Sequence, residues 1–132
     1  MKRSDPTVLL DTSVLIHFMR GKPEARALLR DLVMRGVTLA ISCISVAELH
    51  GGMRRGEEQA TERLLNGLET LPVTFAVAQK AGLIRFEQRQ LGRTFALDDM
   101  MIAATAILNG YPLITDNRKD FEIPEIELFP EY

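Results

Sequence analysis

The side chains with chemical potential in this 132-residue chain are mostly carboxylates, and they fall at the ends of its apolar runs. Asp11 closes the run TVLL at 7–10. Glu48 stands inside the apolar segment SVAEL, Asp98-Asp99 opens MMIAATAIL, and Asp116, Asn117 and Asp120 follow PLIT at 112–115. In an open parallel sheet, residues at strand carboxyl ends gather at one edge, near the point where strand order reverses. Three or four carboxylates gathered there repel one another, so their pKa values rise or a divalent cation neutralises them. Oxygen-only ligands suit Mg²⁺ or Mn²⁺ rather than Zn²⁺, and carboxylate-held Mg²⁺ is the apparatus of phosphodiester hydrolysis.

Each acid also has a local reading. Asp11 is a strand-end residue or helix cap, and Asp98 and Asp99 suit the start of a helix. Glu48 could sit at the edge of an apolar stripe, Asp116 and Asn117 suit a turn, and Asp120 a cap. The rest of the chain offers few alternatives. His17 and His50 are its only histidines, Cys43 its only cysteine, and H-E-x-x-H, G-x-x-x-x-G-K-[ST], G-x-G-x-x-G and G-x-S-x-G are all absent. A thiolate zinc site and an internal disulfide are excluded.

Strands are expected over 7–10, 38–41, 71–74 and 112–115, with a short fifth over 126–129. Helices are expected over 14–20, 24–35, 57–68, 76–91 and 100–108, and the third in order, into which 42–45 lead, carries Val46, Ala47, Leu49 and Met53. Gly21, Pro23, Gly36, Gly56 and Gly110 break them, and Gly51-Gly52 weakens the middle of the third. Strand alternating with helix implies α/β architecture: a three-layer α/β/α domain around a central, mostly parallel sheet of four to five strands. No linker or repeat divides residues 1–132, so one domain is expected, with its core at about 7–128.

Composition agrees with a globular chain, at 46% apolar and 26% charged residues. No apolar run reaches the length of a membrane span, and the N-terminus lacks the apolar region of a signal peptide; a soluble, cytoplasmic protein without membrane contact is expected. The net charge of −2 is unevenly spread. Residues 1–115 carry 14 basic against 12 acidic side chains (net +2), and 116–132 carry two against six (net −4). Twelve of the 16 basic residues are Arg, whose planar fork suits phosphate. Arg20, Lys22, Arg54 and Arg55 lie where a polyanion would approach the acids.

Four segments in order, VLLDTSVLI (8–16), ISVAEL (44–49), DDMMIAATA (98–106) and LITDNRKDF (113–121), resemble the PIN domain of VapC-type toxin ribonucleases from toxin–antitoxin pairs. The resemblance spans nearly the whole chain. It implies a metal-dependent endoribonuclease in which Asp11, Glu48 and Asp99 surround Mg²⁺ or Mn²⁺ and an activated water hydrolyses RNA, leaving a 5′-phosphate. Ser13 and Thr115 resemble the hydroxyl residues that support such a site. The fourth acid is open among Asp116, Asn117 and Asp120, with Asp116 and Asn117 the expected completion of the metal shell and Asp120 a supporting residue. The resemblance further implies a VapB-type antitoxin partner, a homodimer and a toxin–antitoxin hetero-oligomer. Two other readings fit the same residues: a PIN-type nuclease of RNA processing or DNA repair, and a PIN-like binding module with a decayed site.

Overall fold

The computed structural model describes residues 6–130 and 132; residues 1–5 and 131, counted above within the domain, lie outside them. The elements run β1 (Thr7–Leu10), α1 (Thr12–Met19), α2 (Pro23–Met34), β2 (Thr38–Ser42), α3 (Cys43–Gly51), α4 (Glu58–Asn66), β3 (Glu69–Leu71), α5 (Phe75–Gln90), α6 (Leu97–Asn109) and β4 (Leu113–Ile114), then a 3₁₀ turn at Arg118–Phe121. The four strands form one parallel sheet in the order β3-β2-β1-β4.

Side chains alternate across each strand, so the sheet has two buried faces. Leu9, Ala40 and Leu113 pack against α5 and α6 with Val77, Ile84, Met100, Ile102 and Phe121. Val8, Leu10, Leu39, Ile41 and Ile114 pack on the other side against α1 and α2, with Val14, Leu15, Leu29 and Leu32. The three-layer expectation therefore holds. Phe121 is completely buried one residue after Asp120. Phe121→Ala is expected to cost about 3–5 kcal/mol, read as a shift in the urea midpoint at constant slope.

Several boundaries differ from the sequence reading. The third strand is Glu69–Leu71 rather than 71–74. Pro72 cannot donate to a ladder, and Thr74 serves instead as the N-cap of α5, its hydroxyl accepting from Val77 N at 3.2 Å. The fifth strand is reduced to a single parallel bridge between Leu113 and Leu128. Gly51 ends α3 with Gly52 as its C-cap, so the glycine pair terminates that helix rather than weakening its middle. No described helix is long and apolar enough to cross a membrane.

Candidate active site

The order β3-β2-β1-β4 sends the chain outward from β1 to β3 and then back across to β4, so the sheet reverses between β1 and β4. A crevice at the carboxyl ends of those two strands is where such a sheet binds ligands. Asp11 sits there. It ends β1 and N-caps α1, and its own N–H donates to Ile114 O at 2.9 Å, locking it beside β4. Both local roles and a site role coincide in one residue.

Its carboxylate is 4% exposed and fully engaged. Oδ1 accepts from Thr12 N (2.9 Å), and Oδ2 accepts from Ser13 Oγ (2.9 Å) and Thr115 Oγ1 (2.8 Å). Burial pushes the Asp11 carboxyl above the ordinary carboxylate range; these three donors oppose that, and the Asp116 charge adds to it.

Glu48 reaches the same place from α3. The Thr12 hydroxyl lies 2.6 Å from Glu48 Oε1 and 2.8 Å from Ser45 Oγ. By donating to the carboxylate it remains free to accept from Ser45. Burial raises the Glu48 pKa to about 7, helped by a hydrogen bond shared with Asp98 and by the charges of Asp98 and Asp11. Asp99 comes from the first turn of α6, where Ala96 rather than either Asp is the N-cap. Burial likewise raises Asp99 to about 7, with the charges of Asp98, Asp11 and Asp120 contributing.

Asp98 and Asp11 thus act on both Glu48 and Asp99, and the four acids form one electrostatic group built from three elements. The segment after β4 divides around it. The Asp120 charge reaches Asp99 and adds to the rise in its pKa. The Asp116 carboxylate pairs with His17 Nδ1 and receives the Tyr132 hydroxyl. Asn117 is exposed, and its backbone N–H donates to Thr115 Oγ1 at 2.9 Å. Thr12, Ser45, Asp98, His17 and Tyr132 were not singled out by sequence as site residues. His17 lies four residues after Ser13, one helical turn along α1, which was a readable signal; nothing local marked Tyr132. His50 is set against Val46 O at 2.8 Å, on its own helix.

The donor set is all oxygen, and neutral pH leaves it partly protonated unless positive charge is supplied, which fits a hard divalent cation. Among the described residues no three His, Cys, Asp or Glu side chains stand close enough together, as they are placed, to hold a metal ion; Mg²⁺ takes only one or two protein carboxylates and keeps several waters. Thr115→Val would leave Asp11 Oδ2 short of a donor and Asn117 N without its acceptor. An expected loss of about 1–3 kcal/mol of folding stability follows, measurable by urea denaturation; an unchanged midpoint would show the bond to be idle.

A parallel α/β/α sheet with one buried and two half-buried acids near its reversal point defines a class, the PIN domain, and the sequence profile of that family matches residues 8–125. Among its relatives, ribonuclease VapC10 of Mycobacterium tuberculosis is 39% identical over 110 residues, covering 83% of this chain and 82% of the relative. Ribonuclease VapC19 of the same organism is 32% identical over 120 residues, covering 90% and 96%. The fold superposes with a TM-score of 0.81 on a chain of VapBC2 from Rickettsia felis, solved bound to a DNA fragment from their promoter, at 28% identity over 93% of this chain and 97% of that one. The chain belongs to the VapC-type branch of the PIN-domain family.

Proposed function

We propose that this protein is the toxin ribonuclease of a toxin–antitoxin pair, a single catalytic unit over its length, acting in the cytoplasm and hydrolysing RNA phosphodiesters with Mg²⁺ or Mn²⁺. The observation that carries this reading is that Glu48 from α3 and Asp99 from α6 both lie within reach of the Asp11 charge at the end of β1, with their pKa values raised to about 7. The ribonuclease names of its relatives support the same activity.

Asp11, Glu48 and Asp99 would hold the cation, with Asp120 beside them. When bound, the cation would supply Lewis acidity and lower the pKa of water, each lowering the barrier by several kcal/mol. Thr12, Ser13 and Thr115 keep the acids aimed by donating to their outer lone pairs. Arg20 lines a narrow crevice with Glu48, Ile16 and Met19, its guanidinium paired with Glu57 at 3.5 Å, so a basic group stands on the Glu48 side of the site. Attack in line breaks the P–O3′ bond, leaving a 5′-phosphate and a 3′-hydroxyl. Single-stranded loops suit such a site because their bases can splay out of the stack.

Two surfaces support the expected assembly. A groove of about 560 Å³ between α1, α2 and α4 is lined by Phe18, Met19, Leu29, Val33 and Leu64 and carries Arg26, Arg30 and Arg63. Its chemistry fits an amphipathic antitoxin segment with acidic edges, and the Rickettsia felis relative was solved in such a toxin–antitoxin complex. On α5, Phe75, Leu83 and Phe86 are 81%, 50% and 53% exposed on one side of the helix, a face suited to a second copy of the chain.

The test is cleavage of a mixed pool of structured RNA by partner-free protein with Mn²⁺, beside EDTA and beside single- and double-stranded DNA. Cutting confined to RNA loops and abolished by EDTA is expected. Preferential cutting of DNA would favour a repair nuclease, and no cutting with no Mn²⁺ binding would favour a binding module.

A further inference from the structure

The C-terminal segment returns to the sheet after the 3₁₀ turn. Leu113 N donates to Glu127 O (2.9 Å), and Phe129 N donates to Leu113 O (2.8 Å). Arg118 Nη1 holds Phe129 O at 3.0 Å. Phe129 and Tyr132 pack against the apolar cluster on the α1/α2 side. From that anchorage the Tyr132 hydroxyl donates to the Asp116 carboxylate, whose Oδ2 also pairs with His17 Nδ1 from α1. The Asp116 backbone N–H points inward, 3.3 Å from Ser13 Oγ, and Ser13 in turn donates to Asp11.

Asp116 therefore has its main chain tied to the acidic cluster through Ser13 and its carboxylate engaged by His17 and Tyr132. The carboxylates of His17's partner and of the cluster still feel each other, since the Asp116 charge helps to raise Asp11. Turning inward would break two charge-assisted hydrogen bonds and bring another negative charge against a buried one. That cost is supplied by residues from two other parts of the chain, α1 and the C-terminus, and neither touches the acids themselves.

We propose that His17 and Tyr132 are positioning residues that strap the Asp116 carboxylate to the outer wall of the acidic cluster and withhold it from the cation held by Asp11, Glu48 and Asp99. The strap rests on the metal-dependent reading of the site. It also sets the number of carboxylates at the cation, and so its affinity, without changing those carboxylates.

Mn²⁺ titration calorimetry on four proteins tests it: wild type, D116N, H17Q/Y132F and the triple variant H17Q/Y132F/D116N. In D116N the Kd should change by less than about fivefold, because a withheld carboxylate contributes only through distance. Releasing the strap in H17Q/Y132F should tighten Kd by about threefold or more, and adding D116N should cancel that gain, the non-additivity of residues acting as one unit. Y132F alone keeps the ring packed and guards against misfolding of the double variant; it should show part of the same tightening. A larger loss in D116N would make Asp116 a ligand and overturn the strap, as would a strap-free variant that binds no more tightly.

A second readout needs no metal. The chain has no Trp and two Tyr, Tyr111 and Tyr132, and a phenol hydrogen-bonded to a carboxylate is quenched. In a Y111F background, D116N should brighten tyrosine emission; unchanged emission overturns the strap whatever Mn²⁺ does. If emission brightens but wild type binds no Mn²⁺, the metal-dependent reading fails and takes the withholding role with it, while the Tyr132–Asp116 contact stands.

Discussion

Asp11→Asn is expected to lower RNA cleavage by about 10³-fold or more at saturating Mn²⁺, the size of losing several kcal/mol of transition-state stabilisation, while making the metal-free protein more stable at pH 8. The two effects have one origin. Asn keeps the shape of Asp11, and its one carbonyl oxygen can go on accepting from Thr12 N as the cap of α1 while its amide faces the Ser13 and Thr115 hydroxyls, which can turn to accept, so the fold is preserved. It removes a buried charge whose ionised form is opposed by its surroundings, which favours the folded state. The same charge is what a cation would bind, so function is lost where stability is gained. Asp99→Asn should behave alike, since its carboxyl is also raised by burial and by neighbouring acids. Single-turnover cleavage of end-labelled RNA together with thermal melts measures both. Undiminished cleavage in both variants would place the activity elsewhere in the molecule or in a contaminant.

The metal-free protein should melt at a higher temperature at pH 5.5 than at pH 8, and Mn²⁺ should raise the melting temperature far more at pH 8. Glu48 and Asp99 have folded-state pKa values of about 7, above their ordinary values of 4.5 and 3.8. The folded state therefore binds more protons than the unfolded chain through this interval. The stability those protons confer is fully present below the unfolded values and is lost as pH rises through 7. Above that, the acids are charged and repel one another unless a cation joins them. At 100 times its Kd, Mn²⁺ should add about 2.7 kcal/mol at pH 8, roughly 5–10 °C for a domain of this size. A melting temperature that is flat between pH 5.5 and 8, or an equal Mn²⁺ shift at both, would mean that the acids do not act as a unit.

Much of the fold was legible because its signals are local. TVLL running into Asp-Thr-Ser announces a buried strand and a helix start, and PLIT before Asp116 announces another strand end. The all-round apolar MMIAATAIL reads as a buried helix, and α6 is one. Where local signals conflicted, the reading slipped: Leu71–Thr74 has strand-like residues, but Pro72 cannot donate and Thr74 is better used as a cap. Pro124 and Pro130 bracket the expected fifth strand, which keeps one bridge and no ladder.

The site divides along the same line. By itself the sequence determined which residue types are present, that Asp11, Asp99 and Asp116 stand at the ends of elements and that Glu48 interrupts an apolar one, because capping, chain breaking and apolar periodicity depend on near neighbours in the chain. Only the tertiary structure decided which acids meet. Thr115 reaches Asp11 across 104 residues and Thr12 reaches the Glu48 carboxylate across 36, because β4 crosses back to lie beside β1 while α3 returns over the same edge. The raised pKa values, the action of the Asp120 charge on Asp99 and the pairing of Asp116 with His17 and Tyr132 likewise arise from burial and from through-space charge. Those quantities depend on distance in the folded molecule, and sheet order, not separation along the chain, sets that distance.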